Sequence, residues 1–386
     1  MKYIWLFIAA STLVACSSAK KTTYGKDTVV ELQKILDEEC NTTENDIVGM
    51  SLTVISPQLD IDFTGSSGYD GLDKTALLKA EQPFRIASLT KVFVATAILR
   101  LYEKGLLSLE DPISNYISKE HIAILEDGGY NPELISIRHC LTHTSGLYDY
   151  AVGGPEYIEE ALKDPNKRWT RTEQIQFAMD KGQPHAAPGK EHHYSDTGYV
   201  LLGEIIEKLN TSGLAEGLRE LLKFDELGMS ATYLESLEKR PDDLLPNVKR
   251  YMGGKDVSNW DNSIDLYGGG GLVSTTRDLS VFLQSLFNGR IFNNTDTLDI
   301  MLLKKEFDHK GEGLPEQRLG FGSIVGKKSG LEAYFHSGFW GTYFIHLPAY
   351  NCSIAFNDTN DSDSNVLQRT VDYVKWRATE KDNQKE

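Results

Sequence analysis

The chain has 386 residues, 40% hydrophobic and 25% charged, with a formal net charge of −16. That composition suits a globular protein with a substantial core. The acidic surplus argues against nucleic acid or an anionic membrane surface as partner, since either would repel it, and no internal run of about 18 apolar residues predicts a membrane-spanning helix.

At the N-terminus, Lys2 precedes an apolar run over residues 3–10, followed by Leu13-Val14-Ala15-Cys16. A charged start, a short apolar stretch and small residues before a cysteine predict a secretory signal over residues 1–15. The Leu-Val-Ala-Cys ending resembles a bacterial lipobox, which implies cleavage before Cys16 and lipid on its thiol; a plain signal peptide is the alternative. Ser17 after the cysteine is similar to lipoproteins sorted to an outer membrane, so a periplasm-facing, cell-envelope location is expected. Residues 16–26 would then be a polar tether. Cys40, Cys140 and Cys352 remain, and an odd count leaves at least one thiol free.

Residues 27–40 predict an amphipathic helix capped by Asp27 or Thr28, and residues 48–55 and 61–65 predict two strands joined by a turn at Pro57. An extended Gln82-Pro83-Phe84-Arg85 leads into a helix ending near Lys104, with Gly105 as its terminal glycine. Residues 106–264 read mostly as helix and loop, with helices at 138–142, 172–180, at about 199–209 and at 214–224. The glycine run Gly268-Gly269-Gly270-Gly271 then feeds an extended segment, and a helix follows from Thr276 to about Phe287. Successive antiparallel strands are expected at 319–325, 331–335, 342–347 and 352–356, with a closing helix at 366–378. Strands at both ends with helices between them imply an α/β (α+β) fold. Its antiparallel sheet is flanked by helices and interrupted by a mostly helical region.

The helix after Arg85 carries the first chemical signal. Ser88 and Lys91 are three residues apart and share a helical face, and a helix N-terminus offers N–H groups to an oxyanion. The spacing alone is weak: Ser17/Lys20, Ser18/Lys21 and Ser236/Lys239 repeat it. What distinguishes Ser88 is the long apolar run behind it, which predicts a buried helix. A lysine snorkelling to solvent from the helix start is the plainer reading.

Four further stretches stand in order along the chain. They are Ile137-Arg138-His139-Cys140-Leu141-Thr142-His143-Thr144-Ser145-Gly146-Leu147, Tyr194-Ser195-Asp196-Thr197-Gly198, Gly270-Gly271-Leu272-Val273-Ser274-Thr275 and His336-Ser337-Gly338. Together with Ser88-Leu89-Thr90-Lys91 they resemble the class C β-lactamase and penicillin-binding-protein-like serine hydrolases, including related esterases and D-amino-acid peptidases. The resemblance covers residues 27–380, with an α/β part at 27–105 and 265–380 and a helical part at 106–264. It implies Ser88 as nucleophile, Lys91 as its base or part of it, and Tyr194 passing a proton toward the leaving group. It places His336, Ser337 and Gly338 on a strand beside the cleft. The oxyanion hole would be the N–H groups of Ser88 and Phe339. Lys328-Ser329-Gly330 and His309-Lys310-Gly311 compete for the third motif, but the first reads as a hairpin turn and the second lies in a charged loop.

Asp196 departs from the family, which usually has Asn there. An amide both donates and accepts, whereas an ionised Asp only accepts. It would favour the ammonium form of Lys91 and repel a substrate carbonyl or carboxylate. An esterase or peptidase acting on a neutral or amine-bearing substrate is therefore expected, with a peptidoglycan D,D-peptidase or a true β-lactamase as alternatives. A non-catalytic penicillin-binding-like sensor is the alternative of another class. No cofactor is implied, and His139, Cys140, His143 and the His192-His193 pair do not assemble a convincing zinc set. A monomer, touching the membrane only through its lipid and taking a small-molecule or peptide substrate, is expected. Residues 148–188 and 238–262 are expected to line the cleft.

Overall fold

A computed structural model describes residues 24–25, 27–41, 47–304, 316–325, 331–360 and 364–384. The signal, Cys16, most of the tether and the two competing motifs at 309–311 and 328–330 lie outside them. Helix α1 (Thr28–Cys40) starts at Asp27, whose side chain accepts from Val29 N and Val30 N. Strands β1 (Gly49–Ser56) and β2 (Ile61–Gly68) form a hairpin around Pro57. A short strand β3 (Phe84–Arg85) and a one-turn 3₁₀ segment (Ala87–Leu89) lead into α2 (Thr90–Glu103).

The middle of the chain supplies α3 (Lys119–Asp127), α4 (Ile137–Leu141), α5 (Glu156–Lys163), α6 (Arg171–Lys181), α7 (Asp196–Asn210) and α8 (Leu214–Leu221). Short strands β4 (Tyr233–Leu234), β5 (Tyr251–Met252), β6 (Lys255–Asp256) and β7 (Leu272–Ser274) precede α9 (Thr276–Phe287) and α10 (Thr295–Met301). Strands β8 (Glu316–Gln317), β9 (Gly322–Val325), β10 (Glu332–Gly338), β11 (Thr342–Leu347) and β12 (Cys352–Asp358) follow, and α11 (Val366–Asn383) closes the chain. Helices α3, α5 and α10 were not anticipated from the sequence, because their apolar periodicity is spread over few turns.

The main sheet has seven antiparallel strands in the order β2-β1-β12-β11-β10-β9-β8. Strand β1, next to the edge strand β2, pairs with the C-terminal β12, so the two ends of the chain share one sheet. Side chains on β1 alternate between its faces. Met50, Leu52 and Val54 join the core with Leu32, Ile35 and Leu36 of α1 and with Val371, Tyr373 and Val374 of α11. Thr53 points the other way, to the Thr276 hydroxyl of α9 at 2.9 Å.

The larger core lies beyond α9 and is centred on α2, where every residue from Thr90 to Leu101 is buried. Helices α7, α8 and α10 pack around α2. Strand β7 pairs with β3 and β4 in a second small sheet, which ties the lead-in of α2 to the glycine run before β7. Among the described residues, no helix is long and apolar enough to cross a membrane, and Cys40, Cys140 and Cys352 are free thiols.

Candidate active site

Ser88 does not sit in the first turn of α2 as the spacing suggests, but one step earlier, in the 3₁₀ segment. The residue before it, Ala87, has φ +45°. A non-glycine residue in the left-handed region is strained, and here the unusual backbone sets the entry to the serine. Two neighbours anchor that entry. Ile86 N donates to Leu272 O at 3.0 Å, and the Thr342 hydroxyl donates to Ile86 O at 3.0 Å.

Lys91 does not snorkel; its side chain is wholly buried. Its Nζ lies 2.9 Å from Ser88 Oγ, donates to Gly269 O at 2.7 Å and pairs with the Asp196 carboxylate. Carbonyl and carboxylate oxygens only accept, so those two contacts use two N–H bonds whatever charge Lys91 carries. The Ser88 contact alone can run either way: an ammonium donates to Oγ, and a neutral amine receives the Ser88 proton.

Tyr194 lies just before α7, and its hydroxyl donates to Ser88 Oγ at 3.0 Å. Burial first, and then the Asp196 carboxylate, hold the phenol well above its ordinary pKa. Tyr194 thus keeps its proton in the resting protein and is equipped to give it away. The chain brings Ser88, Lys91, Tyr194 and Asp196 together although 105 positions separate Lys91 from Asp196.

His336, Ser337 and Gly338 end β10, which packs on the 3₁₀ segment of Ser88. His336 is buried, and its Nδ1 lies 2.7 Å from Ser337 O. A carbonyl cannot donate, so Nδ1 carries the proton and Nε2 the lone pair. Burial and the charge of Lys91 push its pKa down to about 4, leaving a neutral ring. Gly338 is needed for a reason the sequence did not reveal. A Cβ there would stand 2.4 Å from Ile86 O and 2.3 Å from Thr342 Oγ1, so the close approach is to the turn that leads into Ser88. Phe339 follows at the strand's end, half exposed.

Sequence reasoning missed three participants. Gly269 supplies the carbonyl to Lys91, and its Cα hydrogens face Asp196 so closely that a Cβ would be 2.6 Å from Oδ1. Four glycines in a row before a buried strand were the available signal. Asp265 stands beside Gly270, and burial lifts its carboxyl to about 6. Asp149 is the third: it is buried, Oδ1 accepts from Ala151 N at 2.7 Å and Val152 N at 3.2 Å, and Oδ2 has no hydrogen-bond partner. Burial, then repulsion from Asp196, pushes its pKa up to about 7.

That shift yields a stability prediction. An unfolded Asp releases its proton near 3.8, whereas folded Asp149 holds it to about 7, so its contribution to stability falls as pH rises between the two. Asp149→Asn keeps the Oδ1 acceptor and is expected to raise Tm by a few degrees at pH 8, with the gain fading toward pH 4. Thermal scans across that range check it; a gain that grew toward acid would refute the assignment.

Metal chemistry gains no support from the histidines. His139 Nδ1 accepts from Ser136 N in a capping box, and His143 Nδ1 accepts from Ser195 N. Among the described residues, no group of three or more His, Cys, Asp or Glu is placed to hold a metal ion.

Comparison with known proteins agrees with this architecture. A family model described as Beta-lactamase matches residues 29–375. The chain is 30% identical over 241 residues to penicillin-binding protein 4* of Bacillus subtilis (strain 168), a match covering 59% of this chain and 50% of that protein. It therefore spans about half the length of that curated relative. The solved structure of D-amino acid amidase from Ochrobactrum anthropi SV3 with D-phenylalanine superposes with a TM-score of 0.71 at 25% identity, covering 91% of this chain and 98% of that one. EstCE1, described as a hydrolase with promiscuous acyltransferase activity, shares the fold at a TM-score of 0.66 and 18% identity, covering 89% of this chain and 97% of that one. With the antiparallel sheet, the inserted helices and a family match over nearly the whole length in hand, the chain belongs to the Beta-lactamase family.

Proposed function

We propose that this protein is a serine hydrolase that cleaves an ester or amide through an acyl-enzyme on Ser88. One observation carries the reading: Ser88 Oγ lies within hydrogen-bond reach of two proton-handling groups, Lys91 Nζ at 2.9 Å and the Tyr194 hydroxyl at 3.0 Å. In this mechanism Lys91, in the unprotonated form that alone can accept, takes the Ser88 proton as Oγ attacks the carbonyl carbon, and Tyr194 donates its proton to the departing oxygen or nitrogen. The resulting phenolate is balanced by the new ammonium of Lys91. The N–H groups of Ser88 and Phe339 receive the developing oxyanion, and neutral His336 borders the cleft without adding charge.

The substrate is an ester or a peptide-like amide that is neutral or carries an amine. The Asp196 carboxylate beside Ser88 and Lys91 makes the site unfavourable to a substrate carboxylate. The place of work is the cell envelope, with Cys16 as lipid anchor and the hydrolase domain facing the periplasm as a monomer. The amidase and penicillin-binding protein among its relatives support an acyl-transfer role.

The test is labelling with a fluorescent fluorophosphonate and a fluorescent penicillin, followed by mass mapping of the adduct. Fluorophosphonate on the Ser88 peptide, with no penicillin label, is the expected result. Labelling by both would instead favour a penicillin-recognising peptidase, and an adduct on any other residue would overturn the proposal. Asp196→Asn should raise nitrocefin hydrolysis about tenfold by restoring an amide donor. An unchanged rate would remove Asp196 as the barrier to β-lactams.

A further inference from the structure

Tyr194 is held from three sides by one residue outside the reacting set. The His143 carbonyl accepts from His193 N at 2.8 Å, and its Nδ1 accepts from Ser195 N at 3.1 Å. Between those two bonds its ring stacks on the Tyr194 ring, with centroids 4.3 Å apart and planes 24° apart. Behind it the Tyr199 ring packs at 5.1 Å.

His143 is almost wholly buried and has φ +55°. It follows α4 at a turn where Thr144 N returns to His139 O at 2.8 Å. Opposite, Gly189 N donates to Thr144 O at 2.8 Å and His185 N to Gly146 O at 3.0 Å. The Thr-His-Thr-Ser-Gly stretch is therefore laced along the segment that ends in Tyr194. Burial, and then the charge of Lys91, hold the imidazole neutral. A neutral ring can keep its lone pair on Nδ1 for Ser195 N–H.

Resting on the hydrolase reading above, we infer that His143 is a positioning residue that aims the Tyr194 hydroxyl at Ser88 and at the leaving group. A buried histidine that merely filled space would need neither the two bonds flanking residue 194 nor the parallel ring. Both ring and bonds act on the one side chain whose proton must reach the departing atom, and a displacement of about 1 Å there costs rate steeply.

Leaving-group dependence tests this. Phenyl acetate needs a proton on its departing phenolate far more than p-nitrophenyl acetate does, and kcat/KM reports acylation for both. His143→Phe keeps a ring but removes the acceptor for Ser195 N–H. It should lower kcat/KM for phenyl acetate about 10- to 100-fold and for p-nitrophenyl acetate less than about threefold. Tyr194→Phe should show the same selective loss, and the double variant should lose no more than Tyr194→Phe alone. Equal losses on both esters, or the same loss from His143→Phe with and without Tyr194, would mean a purely structural role and overturn the inference. No loss on phenyl acetate would overturn it too. If the phenylalanine variant does not fold, His143→Asn, which keeps an acceptor but loses the stacked ring, carries the same comparison. Failure of Ser88 to label would sink the hydrolase reading instead, so the two failures are distinguishable.

Discussion

Lys91→Met is expected to slow acylation of Ser88 by about 1,000-fold or more and to cost ~3–5 kcal/mol of stability at neutral pH. Methionine is close to isosteric with the lysine stem, so packing in α2 is nearly preserved and the loss is chemical. The amine contacts Ser88, Asp196 and Gly269; in the variant Ser88 keeps the Tyr194 hydroxyl, whereas Asp196 and Gly269 O lose the partner described for them. Asp196 suffers most, because its side chain is 10% exposed and a buried carboxylate without its counter-charge is costly. Urea denaturation of the variant beside wild type at pH 8 measures this loss. Adding Asp196→Asn to Lys91→Met should recover most of the lost stability and none of the activity. A Lys91→Met protein as stable as wild type at pH 8 would show that the pair is not the electrostatic centre of the site.

Gly338→Ala should reduce turnover on the order of 100-fold with little change in substrate affinity. The added methyl meets Ile86 O at 2.4 Å and Thr342 Oγ1 at 2.3 Å, and a backbone carbonyl cannot rotate away. Either β10 moves off the 3₁₀ segment or Ile86 moves and carries Ala87 and Ser88 with it. Thr342 holds Ile86 O through its hydroxyl, so the displacement passes directly to Ser88. Acylation rates with an ester substrate, taken beside the melting temperature, separate misalignment from unfolding. A variant with wild-type kcat would mean that the strand end is free to yield.

How far the site was legible differs from residue to residue. Ser88, Tyr194 and His336 stood out through motifs in the right order on the right kinds of segment, and Asp196 stood out as the departure within one of them. Gly269, Asp149 and Asp265 did not, because an isolated carbonyl or aspartate carries no pattern until the chain folds. The position of Ser88 was misjudged by one element: helical spacing matched the Ser-x-x-Lys pair, but Ala87 at φ +45° and a 3₁₀ turn place the serine ahead of α2. His143 entered the sequence reading only within a motif stretch and as a weak zinc candidate, because its stacking on Tyr194 is a property of two loops in contact.

By itself the sequence determined the local choices: apolar runs that bury α2 and α7, alternation that makes β1 two-faced, caps such as Asp27, and the residue types of the reacting groups. These follow from interactions within a few positions of each other. Only the tertiary structure decided which charges meet. The Lys91–Asp196 pair, the third contact to Gly269 and the clamp of His143 on Tyr194 each join distant segments. Their consequences, a phenol that keeps its proton and an aspartic acid that holds one to about pH 7, come from burial and from neighbouring charge. Neither quantity exists along an unfolded chain, where water surrounds each group and the partners are far apart.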